Sequence, residues 1–392
     1  MADIYRRLEI TTCINAAGTV TRLSGSLMSP DTVVAMVQAA QHYVRIDQLQ
    51  AAVGGRIAQI TGAEAGLVTA GASAGLTLAA AACLAGFNLG RMDRLPDSSG
   101  MPCEIVVPRS HRNGYDHALR AAGARIVEVG LAERTRDPQP WEIEAAIGPQ
   151  SVALAFADGF SALDLQVLVE IGRRHRLPVI VDASASLPPQ SNLQRFIAQG
   201  ADLVVFSGGK AMRGPQASGI LCGRRDLIAS AAMQSLDMDW APPLWNPPAE
   251  LIPPEIAARG VPNHGIGRGM KVGKEEIVGL WAALEQFVAL DEASEMARLA
   301  QWAAELQEGI SRISDLDCRL LDRPGRWPIV EVQVDSAKFS ASDLVRRLEE
   351  HDPCVQVGQG DVARSAVTID PFTLQPGEVK QVIEAFHAVC IS

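Results

Sequence analysis

Cysteine is sparse in this chain, and what there is does not pair: seven residues are scattered from Cys13 to Cys390, with no Cys-x-x-Cys among them. An odd, unpatterned set argues against a disulfide framework or a zinc site and fits a reducing cytoplasm, the compartment expected here. Long apolar runs are missing as well. The most apolar stretch, 76–87, is alanine-rich and too short to span a bilayer, and the N-terminal MADIYRRLEITTC has no signal-peptide core. No membrane partner is expected. Basic charge is in deficit, with 35 Lys and Arg against 45 Asp and Glu and a formal net charge of −10. A broad nucleic-acid surface needs clustered Lys and Arg to neutralise phosphates, so nucleic acid is not an expected partner either. Short-period repeats and low-complexity tracts are also absent.

What is present is a globular composition, 47% hydrophobic and 20% charged over 392 residues, a length at which two domains are the natural expectation. Val33, Val34, Met36, Val37 and Val44 give an amphipathic helical pattern over 31–44, just after Pro30, and a second helix runs over about 47–61 to Gly62. Apolar runs then alternate with helical segments. Strands are predicted at 104–107, 125–129, 151–156, 178–181, 202–206 and 219–222, with helices between them at 114–122 and 163–175. Strands separated by helices mean a mostly parallel sheet covered on both faces, with functional residues at the strands' carboxyl ends. The rhythm breaks at 240–262, where prolines at 242, 243, 247, 248, 253, 254 and 262 read as a loop, either a lid or an inert crossing. Helices at 274–290 and 295–313, strands at 329–334 and 367–369, and helices at 342–351 and from Pro376 follow. The expected division is an N-terminal arm and first helix (1–45), a large domain (46–270) and a smaller α/β domain (271–392).

Three segments carry candidate chemistry together. Pro178-Val-Ile-Val-Asp182 is a buried strand ending in a carboxylate, and Asp202-Leu-Val-Val-Phe-Ser207-Gly-Gly-Lys210 is a second strand ending in a lysine. Upstream, Val68-Thr-Ala-Gly71-Ala-Ser73-Ala-Gly75 leads small residues into a helix. Each suits a site for pyridoxal 5′-phosphate. The lysine can form a Schiff base and shuttle protons. The aspartate can keep the pyridine nitrogen protonated, and that positive ring is an electron sink. Small residues opening a helix leave N–H groups accessible to a phosphate, with Ser73 or Ser207 as added donors. Taken singly, Asp182 is also a helix cap and Gly-Gly-Lys also a solvated turn. The glycine run lacks the ending of a nucleotide P-loop and the spacing of a dinucleotide fingerprint.

The run Ser207-Gly-Gly-Lys-Ala-Met-Arg-Gly-Pro215-Gln-Ala-Ser-Gly219 resembles the cofactor-lysine segment of the bacterial selenocysteine synthase-like family, which includes D-glucosaminate-6-phosphate ammonia-lyase. Ile14-Asn15-Ala-Ala-Gly18-Thr19 and Gly267-Arg268-Gly-Met-Lys271-Val-Gly273-Lys274 match it too. The resemblance covers most of the chain. It implies an aminotransferase-like fold of type I, with a large cofactor domain, a small C-terminal domain and a homodimer or larger homo-oligomer. It further implies Lys210 as the Schiff-base lysine, Asp182 as the pyridinium partner, and Ala72, Ser73 and Ala74 near the phosphate. Within Pro108-Arg-Ser-His111-Arg-Asn-Gly-Tyr-Asp-His117, it favours His111 as the ring against the cofactor, with an ordinary helix-start histidine as the rival. Arg112, Arg213, Arg268, Lys271 and Lys274 are candidate anion holders, Arg268 and Lys271 first.

Selenocysteine synthases carry a tRNA-binding domain ahead of the Ile-Asn-Ala-like segment, whereas thirteen residues precede Ile14 here. With the acidic balance, this points to a free amino acid as substrate. The resemblance to the ammonia-lyases then implies α-proton abstraction by Lys210, loss of a β-hydroxyl, and release of a 2-oxo acid and ammonia from a 2-amino-3-hydroxy acid, sugar amino acids and their phosphates included. Racemisation, transamination, aldol cleavage and a non-catalytic cofactor-binding role are the alternatives.

Overall fold

The structure, a computed structural model, describes residues 4–131 and 136–391, so the first three residues of the expected N-terminal arm lie outside it. The described residues form two compact units, one within 28–288 and the other from 4–27 together with 289–391. This differs from a division at 270. The helix Lys274–Ala289 lays Ile277, Leu280, Leu284 and Phe287 into the core beneath the large sheet. Its apolar stripe is therefore used up inside the large unit.

The large unit is built on a seven-stranded sheet in the order Ala65–Thr69, Gly219–Gly223, Leu203–Ser207, Val179–Asp182, Ser151–Ala157, Glu104–Pro108, Arg125–Val129. All six strands anticipated from apolar runs are present, and five of them pair in parallel. The strand Ala65–Thr69 is an addition to the expected set, since its Ala-Gly-Leu-Val-Thr has only two strong strand formers. It pairs antiparallel to Gly219–Gly223, which in turn runs antiparallel to Leu203–Ser207. Apolar clusters fill both faces of the sheet, as a parallel sheet requires.

The helix Ala72–Ala85 is buried almost all round, with Ala79, Ala80, Ala81 and Ala82 fully inaccessible. A run of alanines has no polar face to turn to water, and its thin cylinder fits between the sheet and the helix Arg225–Ser235. The 240–262 segment is more than a loop. Leu251, Ile252 and Ile256 are buried in the same core, the Arg45 guanidinium lies 5.0 Å from the Trp240 ring, and it donates to the Asn246 carbonyl at 3.3 Å. The helix Pro30–Ala40 shows the opposite departure, for Val33, Val34 and Val37 are exposed rather than buried within the chain.

In the smaller unit, Cys13–Ala16 pairs in parallel with Cys354–Val357, and Ala366–Ile369, Arg326–Val334 and Leu316–Arg323 form an antiparallel sheet backed by Glu292–Ile310, Ala341–Glu350 and Glu378–Ile391. The Ile14–Thr19 motif builds a turn there. The Asn15 side chain accepts from the Ala17 N–H at 3.0 Å and donates to the Gly18 carbonyl at 3.1 Å, while Gly18 holds φ +81° against Asp370.

Close backbone packing in the large unit gives a stability test. A β-carbon on Gly54 would lie 2.2 Å from the Gly66 carbonyl oxygen, so the helix Ile46–Thr61 reaches the sheet only without it. Gly54→Ala should destabilise the protein by about 1–3 kcal/mol. Urea unfolding should show a lower midpoint at unchanged slope.

Candidate active site

Three strands of the large sheet end side by side. Asp182 pairs in register with Ala157 on one neighbour and Val205 on the other, and Ser207 pairs with Gly219. The carboxyl ends of these strands, and of Glu104–Pro108 beyond, thus share one edge.

Past Ser207 the chain folds tightly on itself. A β-carbon on Gly208 would meet the Ser218 hydroxyl at 2.1 Å, and one on Gly209 would meet the Gln216 side chain at 2.3 Å. The Gly214 N–H closes onto the Gly208 carbonyl at 2.8 Å, the Arg213 N–H onto the Lys210 carbonyl at 3.0 Å, and the buried Ser218 hydroxyl donates to the Pro215 carbonyl at 2.6 Å. Arg213 takes a left-handed conformation at φ +55°. Gly-Gly-Lys here opens a packed and bonded loop, and it holds the half-buried Lys210 three residues past the strand end.

The start of the helix Ala72–Ala85 lies against the same strands. Its N-cap, Gly71, has φ +102° and offers no side-chain cap, and the Gly75 N–H closes the first turn onto the Gly71 carbonyl at 3.1 Å. The N–H groups of Ala72, Ser73 and Ala74 are the first-turn donors that lack intrahelical acceptors. Ser73 is exposed. Gly75 comes within 3.0 Å of Val205 by a β-carbon's reach, and Gly219 within 2.8 Å of the Ala72 nitrogen. A fourteen-residue helix with open N–H groups and small side chains is a seat for a phosphate.

Asp182 and His111 line one cleft together with Leu76, Phe156, Ala157 and Ile180. One Asp182 oxygen accepts from the Ser184 N–H at 3.0 Å, and the other accepts no hydrogen bond among the described residues. Asp182 therefore closes a turn after its strand rather than capping a helix, since the next helix starts at Asn192 with Ser191 as its N-cap, and the turn uses only half the carboxylate. His111 is buried, its ring centroid 4.7 Å from that of Phe156 in an edge-to-face arrangement. The Ala157 N–H donates to its Nδ1 at 3.2 Å and Nε2 lies 2.7 Å from the Ser161 hydroxyl. Burial holds its pKa below the ordinary histidine value, the charges of Asp137 and Asp158 acting weakly the other way.

The basic candidates sit in other company. Arg268 is paired with Asp237 at 2.9 Å, Arg112 with Asp116 and Glu128, and Lys274 with Glu275, while Lys271 is exposed. None of them lines the cleft that holds Asp182. The Gly267 motif packs instead on the helix Arg225–Ser235, where a β-carbon at 267 would meet the Gln234 carbonyl at 2.8 Å. Sequence reasoning passed over Ser161, Asn113, Phe156 and Ala157. The available signal was the strand end at Ala157, followed by Gly159 at φ +83°.

These residues fit pyridoxal 5′-phosphate: a phosphate seat, a carboxylate with an open oxygen, a flat neutral ring, and a lysine at the shared edge. Residues 13–238 match the family model described as L-seryl-tRNA selenium transferase. The chain is 31% identical to D-glucosaminate-6-phosphate ammonia lyase of Salmonella typhimurium, covering 99% of this chain and 98% of that one. It is also 31% identical to 5′-C-glycyluridine monooxygenase-decarboxylase of a Streptomyces species, over 99% and 92%. L-seryl-tRNA(Sec) selenium transferase of Moorella thermoacetica is 26% identical over 97% and 82%. A solved structure of D-glucosaminate-6-phosphate ammonia-lyase superimposes with a TM-score of 0.80 at 30% identity, covering 100% of this chain and 99% of that one.

The two roles of Asp182 separate experimentally. Asp182→Asn keeps an oxygen for the Ser184 N–H and loses the charge, whereas Asp182→Ala loses both. A carboxylate that serves a ring nitrogen predicts a fall in turnover of roughly two orders of magnitude in both variants. A purely structural turn role predicts near-normal steady-state rates in Asp182→Asn.

Proposed function

The chain belongs to the L-seryl-tRNA selenium transferase family of pyridoxal 5′-phosphate enzymes, and from that premise we propose that it is an ammonia-lyase acting on a free 2-amino-3-hydroxy acid of the sugar amino acid class. The observation that carries this reading is the end-to-end match to D-glucosaminate-6-phosphate ammonia-lyase in both sequence and structure. The excess of acidic residues supports a free amino acid over a tRNA-borne one.

Bound pyridoxal 5′-phosphate supplies the electron sink for the pair left behind when the α-proton departs. In this reading the chain's own groups do the rest. The N–H groups of Ala72, Ser73 and Ala74 hold the phosphate dianion at the positive end of the helix. The open oxygen of Asp182 accepts the ring N–H and keeps that nitrogen charged. His111 offers a flat, uncharged face. Lys210 would tether the cofactor in the resting enzyme, and its free amine would take the α-proton. The β-hydroxyl would leave as water with the proton that Lys210 took from the α-carbon, and the released enamine would hydrolyse to a 2-oxo acid and ammonia. No redox equivalent or second amino acceptor is consumed.

The equal identity to a monooxygenase-decarboxylase supports a second reading, oxygen-dependent decarboxylation of an amino acid in the same site. A closed homo-oligomer is part of the proposal as well. Its support is the exposed apolar face of Val33, Val34 and Val37. Free thiols throughout the chain are in keeping with a cytoplasmic setting, and among the described residues no helix is long and apolar enough to cross a membrane.

Two measurements test the proposal. Borohydride reduction and peptide mapping should place the pyridoxyl group on Lys210, and a label on Lys271 or Lys274 would displace it from that role. With D- and L-2-amino-3-hydroxy acids, phosphorylated and not, ammonia and 2-oxo acid should appear in equal amounts under argon, at a rate pyruvate does not change. Turnover that requires oxygen and releases carbon dioxide selects the second reading. Turnover that stalls after one equivalent per site and resumes with pyruvate makes the enzyme an aminotransferase.

A further inference from the structure

His111 has both ring nitrogens engaged by the protein, and the direction of each bond is determined. The Ala157 backbone N–H can only donate, so Nδ1, 3.2 Å away, must be the unprotonated nitrogen. In the neutral ring the proton then sits on Nε2 and is given to the Ser161 oxygen at 2.7 Å. That oxygen also accepts the Leu163 N–H at 3.2 Å. The ring is 1% exposed, so no solvent stands in for either partner. The charged groups around it are bound elsewhere. Asp158 is held by Arg195 and Ser186, Asp116 by Arg112, and Asp137 by Ser110, while Asp182 shares the cleft and keeps one oxygen on the Ser184 N–H.

We propose that Ser161 is a positioning residue for His111: by accepting the only N–H proton of the neutral ring, it fixes the ring's orientation at the wall of the cleft and leaves it no free proton to exchange. The functional part of this rests on the reading of the cleft as the cofactor and substrate site. Ala157 determines which nitrogen carries the proton, and Ser161 determines where that proton points. With Ser161 truncated, a buried N–H has no acceptor, and the ring must turn or admit water to satisfy it. The segment between the two partners can hold this geometry because the Leu163 N–H ties the Ser161 hydroxyl back to its own loop.

The test begins without cofactor, so that it does not depend on the reaction. In ¹⁵N–¹H spectra of histidine-labelled full-length protein, the His111 signals are identified by their loss in His111→Asn. They should show one tautomer, protonated at Nε2, with a ring proton that exchanges slowly. In Ser161→Ala that proton should exchange at least about tenfold faster, and Ser161→Thr should restore the protection. An Nδ1-protonated ring, or exchange unaltered by Ser161→Ala, overturns the proposal.

In the loaded enzyme, Ser161→Ala should lower kcat about tenfold or more with a smaller effect on KM, and Ser161→Thr should recover most of the loss. In a His111→Phe background, Ser161→Ala should cost nothing further, because the group it orients is gone. An equal loss in both backgrounds overturns the positioning role while leaving the lyase reading intact. Absence of ammonia release from the unaltered enzyme overturns the lyase reading, and the spectra still decide whether Ser161 orients His111.

Discussion

A β-carbon built on Gly219 would stand 2.6 Å from the Gly71 carbonyl carbon and 2.8 Å from the Ala72 nitrogen. The first turn of the helix Ala72–Ala85 thus rests directly on the backbone of a sheet strand, and the rest of the site is arranged around that approach. It brings open N–H groups to the edge where Asp182 and Ser207 end their strands and Lys210 follows three residues on. Any side chain at 219 would lift the helix and move its positive end away from the groups that need it. Glycine is needed for close approach again at Gly75, against the Val205 side chain, and at Gly208 and Gly209, against Ser218 and Gln216 in the lysine loop. Small residues at this edge permit backbone to meet backbone, and it is backbone N–H groups that the phosphate requires.

Charge within the site is economical. The helix end contributes positive potential without a basic side chain, and Asp182 supplies one carboxylate, half of it spent on its own loop. His111 stays neutral because burial makes its cation costly. Most basic side chains nearby are already matched, Arg112 by Asp116 and Glu128, Arg195 by Asp158, and Arg268 by Asp237. On the proposed reading, a neutral wall on one side and a carboxylate at the end would let one ion pair govern the electron demand of the ring.

Much of this was readable in the amino-acid sequence, for identifiable reasons. Buried parallel strands are short apolar runs, so Ser151–Ala157, Val179–Asp182 and Leu203–Ser207 stood out, and chemistry at their carboxyl ends followed from the topology. Asp182 and Lys210 are candidates legible in the sequence because one ends such a run and the other closely follows one. Ala65–Thr69 was missed because its composition carries little strand preference, and its place is decided by pairing with Gly219–Gly223 far along the chain. Ser161 was illegible for a similar reason. Its role exists only once His111, fifty positions upstream, is brought to it. The 240–262 segment misled in the other direction, since its prolines announce a loop while Leu251, Ile252 and Ile256 are what hold it.

The alanine helix has a further meaning for how this protein ages and adapts. Ala79 to Ala82 are wholly enclosed, and the helix is clasped along its length between the sheet and the helix Arg225–Ser235. A rod gripped in this way transmits displacement along its axis, because close-packed interiors deform little. Crowding or slackness at its middle reaches its mouth, where the phosphate seat lies. On the proposed placement of the phosphate, cofactor retention and interior packing draw on one mechanical variable. Loss of cofactor becomes an early gauge of loosening, visible before the fold itself gives way, and drift in the sequence of this helix is constrained by ligand affinity at positions that never touch a ligand.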